Sequence, residues 1–81
     1  SMTEQILVNI GKKIKNLRLR KDITLQEISE AAQISKGMLS KIENGRTIPS
    51  LPVLLSIIQA LKVEVKDFFE GIELDSRRSY I

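Results

Sequence analysis

Residues 24–45, TLQEISEAAQISKGMLSKIENG, limit the possible folds most, because a helix is started, stopped and restarted within one short stretch. Thr24 followed three residues later by Glu27 is a capping box: the hydroxyl accepts a first-turn amide while the carboxylate reaches back to the cap's own N–H. Ile28, Ala31 and Ala32 fall at helical spacing on one face, and the small residues Ser29, Ala31 and Ala32 allow a second helix to come close. Gln33 and Ile34 break the pattern. Ser35 then caps another helix, with Leu39 and Ile42 pointing inward and Lys36, Gly37, Ser40 and Lys41 outward. Gly45 supplies a left-handed stop.

Helices this short, joined by so tight a turn, cannot lie antiparallel and must cross steeply, which is the geometry of a helix-turn-helix. The second helix projects. Its outer face carries cations and small polar groups and no acid before Glu43, so it suits a DNA major groove lined by phosphates.

The segment ITLQEISEAAQISKGMLSKIENGRTIPSL resembles the lambda-repressor-like, Cro/C1-type helix-turn-helix family. The shared features are the capped first helix, the small residue Ser29, the apolar Ile34 and the closing IENGRTIPS. The likeness covers roughly residues 10–69. It implies an all-α, compact five-helix domain in which helices 2 and 3 form the helix-turn-helix. The expected division is a DNA-binding domain over residues 1–70 and a C-terminal tail or linker over residues 71–81.

Composition narrows the chemistry. The 81 residues include no Cys and no His, which excludes disulfides, zinc fingers, thiol nucleophiles and imidazole bases, and leaves a Ser nucleophile without its ordinary partner. No cluster of inward acids is evident either. The expectation is a protein that is not an enzyme and holds no cofactor or metal. Net charge is +3 and the pI near 9.5. Lys12, Lys13, Lys15, Arg18, Arg20 and Lys21 form an acid-free run, whereas Glu64, Asp67, Glu70, Glu73 and Asp75 make the far end acidic, so a basic pole is expected. Alone, such a run is an ordinary solvated face; beside the helix-turn-helix it favours phosphate contact. No apolar stretch reaches the ~20 residues of a membrane span, and no secretory pattern opens the chain. A cytoplasmic location without membrane contact is expected. Ser1 before Met2 reads as a remnant of tag removal.

Helix 1 is predicted from Thr3 or Glu4 to Arg20, with Ile6 or Leu7, Ile10, Ile14 and Leu17 as its inner stripe. Gly11 within that stripe suggests close packing of another segment. After Gly45 comes a loop; Ser50 caps a fourth helix that tolerates Pro52 in its first turn. Leu51, Leu54, Leu55, Ile57, Ile58 and Leu61 make that helix the expected centre of the core. Val65, Phe68 and Phe69 mark a short fifth helix ending at Gly71, its rings closing the core's open end. Ile72 and Leu74 alternate with acids as an edge strand would, and the last residues form a tail, a dimer contact or a linker to a further effector or oligomerisation domain.

Phosphate contacts are expected at the start of helix 2, where Thr24, free backbone N–H groups and the Gln26 amide come together. The resemblance adds Asn44, Arg46 and Thr47 on the other flank. It also implies base contacts from Lys36, Gly37, Met38, Ser40 and Lys41, with lysine favouring guanine O6 and N7 and methionine a thymine methyl. By the same resemblance Arg18 and Glu43 form a partly buried structural ion pair. Three departures stand out: Leu25 replaces a frequent Gln, while Gln33 and Lys62 replace frequent glycines. The implied function is a sequence-specific regulator binding an inverted-repeat operator as a homodimer. The competing function is a helical protein-interaction module, antitoxin-like or docking, on the same scaffold.

Overall fold

The computed structural model describes residues 1–72. Five helices follow one another: α1 (Met2–Arg20), α2 (Leu25–Ala32), α3 (Lys36–Glu43), α4 (Leu51–Ala60) and α5 (Val65–Phe69). No strand occurs among the described residues. Leu74, half of the expected edge pair, lies outside them, and Ile72 packs half-buried against the core.

The caps written into the sequence are made. Thr24 Oγ1 accepts from the Glu27 amide at 3.0 Å, and Glu27 Oε1 accepts from the Thr24 amide at 3.0 Å. Ser35 Oγ takes the Met38 amide at 3.0 Å and Ser50 Oγ the Val53 amide at 3.3 Å. Helix 1 begins earlier than its apolar stripe predicts, because Ser1 caps it in a box with Glu4.

Helix ends share one device. At Gln33 the chain turns left-handed (φ 59), and the next amide, Ile34, donates back to Ser29 O at 2.9 Å. Asp22 (φ 57) and Gly45 (φ 69) repeat this closure, with Ile23 donating to Arg18 O and Arg46 to Lys41 O. The bonds satisfy carbonyls that a helix end leaves open. The consequence is two eight-residue helices, α2 and α3, joined by only three residues, Gln33, Ile34 and Ser35.

Every helix contributes to the core: Ile14 from α1, Ile28 from α2, Leu39 and Ile42 from α3, Ile57 and Ile58 from α4, and Phe68 from α5 are almost wholly buried. Leu61, just past α4, joins them. Phe69 stacks edge-on against Phe68 with ring centroids 5.2 Å apart. The main pairings are α2 with α4 and α1 with α3.

Two expectations about the core need correction. Ala31 is exposed, and Ser29 takes the buried place beside Ile28 and Ala32. Leu51 and Leu55 are also exposed, because α4 buries the stripe Leu54, Ile57 and Ile58, and among the described residues no helix covers the adjoining stripe.

Candidate nucleic-acid interface

Helix α3 is held mainly by its C-terminal half. Its inner residues are Leu39, Ile42 and Glu43. Gly11 of α1 lies so close that a Cβ there would sit 2.5 Å from the Ile42 carbonyl oxygen and 2.6 Å from that of Glu43. Only a residue without a side chain permits this approach.

Beside that contact, Arg18 Nε donates to Glu43 Oε2 at 2.7 Å and Nη2 to Oε1 at 3.1 Å, while Nη1 donates to the Ile23 carbonyl at 3.1 Å. One guanidinium thus binds α1, α3 and the chain entering α2. The planar fork fits a carboxylate in two parallel bonds. The bonds that Arg18 donates to the Glu43 carboxylate raise the guanidinium above the usual arginine range, against the opposing effect of burial.

The opposite face of α3 is open. At 3.6 residues per turn, Gly37 and Lys41 lie on one ridge about opposite Leu39, with Asn44 continuing it. Lys36, Gly37, Met38 and Lys41 are exposed; Ser40 is half-buried on the flank. The Lys36 and Lys41 ammonium groups make no hydrogen bond or ion pair to any described residue.

On one flank stands the start of α2. The capping box uses the amides of Thr24 and Glu27, which leaves those of Leu25 and Gln26 directed outward at the positive end of the helix dipole. The Thr24 backbone bond holds the Glu27 carboxyl below the usual carboxylate range. Gln26 is engaged in a way its position in the sequence did not suggest: Nε2 donates to Glu30 Oε1 at 2.8 Å. A phosphate would have to draw it from that partner.

The other flank is the segment after α3. Asn44 Nδ2 donates to Ser40 O at 2.9 Å and more weakly to Ser40 Oγ at 3.4 Å. Arg46 is exposed with no described partner, and Thr47 is half-buried. Gln26 with Glu30 and Asn44 with Ser40 are both i,i+4 neighbours.

Four of the six cations in the basic run have places of their own. Arg18 is buried in its ion pair; Lys12 and Lys13 border a groove with Gly71 and Ile72; Lys21 Nζ reaches the Lys62 carbonyl at 3.5 Å. Among the described residues no group of acids could hold a metal ion, and no helix is long and apolar enough to cross a membrane.

A short capped helix standing outward, crossed by a partner helix through a three-residue turn, defines a helix-turn-helix protein. The family model described as Helix-turn-helix matches residues 14–68, and the chain belongs to this Cro/C1-type family. It is 40% identical over 66 residues to the HTH-type transcriptional regulator DdrOP3 of Deinococcus deserti, covering 82% of this chain and 51% of that protein. It is 39% identical over 54 residues to the transcriptional regulator ClgR of Mycobacterium tuberculosis, covering 67% of this chain and 48% of that one. The chain therefore spans about half the length of these relatives. The crystal structure of the clp gene regulator ClgR from Corynebacterium glutamicum superposes with a TM-score of 0.76 at 34% identity, over 79% of this chain and 68% of that one. The restriction-modification controller protein C.AhdI from Aeromonas hydrophila shares the fold at 24% identity, with a TM-score of 0.74 over 78% of this chain and 96% of that one.

Proposed function

We propose that this chain is the sequence-reading part of a transcriptional regulator that occupies double-stranded DNA through the major groove and performs no catalysis. One observation carries the reading: the exposed surface of α3 offers Lys41 on its outward ridge and Lys36 at its first turn, neither paired among the described residues, between two further donor sets at Leu25–Gln26 and Arg46. Lysines at base edges specify, and the flanking donors grip phosphate. Thr24, Gln26, Asn44, Arg46 and Thr47 make the backbone contacts; Lys36, Gly37, Met38, Ser40 and Lys41 make the base contacts.

In this reading the protein acts in the cytoplasm as a repressor on an inverted repeat, with half-sites about 34 Å apart. The second copy packs on the groove between α4 and α5, bordered by Leu55, Gln59, Lys62, Glu64 and Val65. Leu55 and Val65 stay exposed there, and a cation and an anion on its rim suit a twofold, self-complementary contact.

Selection from random duplex DNA, followed by fluorescence anisotropy on the recovered sequence at two salt concentrations, tests the function. Affinity falls steeply with salt, and Lys41→Ala changes which sequences are preferred. The exposed Ile48, Leu51, Leu55 and Val65 favour a second function, a module that docks another protein. Recovery of no preferred sequence would decide for that one.

A further inference from the structure

The chain has four glycines, and three have reasons within the fold. Gly11 lets α1 press on the end of α3. Gly45 and Gly71 carry positive φ values of 69° and 83°, where a side chain is strained. Gly37 differs from all of them. It lies inside α3 without a positive φ, and a Cβ built on it would meet nothing nearer than Ser35 Oγ at 4.0 Å.

Among the described residues nothing therefore requires a glycine at residue 37, while the helix is weaker for having one than it would be with alanine. Gly37 also lies on the outermost ridge of α3, one turn before Lys41. Anything laid against this helix meets Gly37 at close range. The missing side chain is clearance toward the outside, at the spot where Lys41 projects.

We propose that Gly37 is a specificity-determining position whose bare backbone lets the first turn of α3 settle against base-pair edges, at the expense of helix stability. This rests on the DNA-reading function proposed above. A methyl group at residue 37 would hold the helix away from the stacked bases and lengthen the reach required of Lys36 and Lys41. Contacts to phosphate, made from the flanks, would suffer much less.

The experiment compares the wild-type chain with Gly37→Ala by thermal denaturation and by anisotropy on two duplexes: the one wild type selects from a random pool, and a scrambled control at low salt. The expected result is a melting temperature higher by a few degrees, binding to the selected duplex weaker by about tenfold or more, and unchanged binding to the control. A variant that is more stable and binds the selected duplex as tightly as wild type would overturn the proposal while leaving the DNA function intact. So would a lower melting temperature, which would mean that the fold itself needs glycine. If wild type selects no sequence, both the proposal and the function fall together.

Discussion

Replacing Arg18 by methionine should be among the most damaging single changes to this chain. Methionine fills much of the same space, so the cost comes from what Glu43 loses. The Glu43 side chain is 4% exposed and its partner 9%, which leaves little room for water to take over two hydrogen bonds. Removing one member of such a pair strands a buried charge and costs about 3–5 kcal/mol. Marginal stability for a chain of this size is about 4–12 kcal/mol, and each kcal/mol moves the melting temperature of so small a domain by about 4–8 °C. Arg18→Met should therefore melt about 12–40 °C below wild type. Adding Glu43→Leu removes the stranded carboxylate and should recover most of the loss, leaving a deficit of about 1 kcal/mol for the bond to the Ile23 carbonyl. Thermal and urea denaturation followed by circular dichroism would measure all three proteins. A single variant within 0.5 kcal/mol of wild type, or a double variant no better than the single, would show that the pair does not hold α1 to α3.

Other perturbations follow from particular atoms. Gln33 stands left-handed with φ 59, so Gln33→Gly should stabilise the fold by about 1 kcal/mol; a measured loss of stability by denaturant titration would refute the strain argument. Gly11→Ala drives a methyl into two carbonyls of α3 and should cost about 1–3 kcal/mol or more by the same assay. The Glu27 carboxyl titrates below its ordinary value because it accepts the Thr24 amide. Its stabilising contribution is therefore complete above about pH 4.3, the ordinary glutamate value, and is lost as pH falls through the lower folded value. Melting curves of Glu27→Gln and wild type should differ at neutral pH and converge in acid. Arg46→Ala should weaken binding to all duplexes alike and lower the slope of log affinity against log salt by about 1.

Capping signals made much of the fold legible. A hydroxyl at Thr24, Ser35 or Ser50 placed just before helical spacing marks a start that local hydrogen bonds alone can fix, and α2, α3 and α4 follow from those marks, while α1 and α5 follow from apolar spacing. The fold class and family were read from the same residues. Burial on α4 was not legible, because apolar residues surround much of that helix and its period cannot say which stripe another helix covers. Apolar character alone therefore points Leu51 and Leu55 inward, although both are exposed. Ala31 failed for a related reason: a small residue fits either face, and Ser29 could be buried because its hydroxyl donates to the Gln26 carbonyl at 2.9 Å. At the candidate interface, residue types suggested the groups, but their mutual engagements, such as Gln26 with Glu30, depend on rotamers that spacing does not determine.

The joint between α1 and α3 clamps the second of these helices at its Ile42–Glu43 end, and Leu39 and Ile34 seat its other end on the core. Lys36, Gly37 and Met38 stay outside that core. Under the function proposed above, these letters can be rewritten without disturbing the clamp, so one scaffold would be re-addressed to a different recognition sequence by exchanging a handful of side chains.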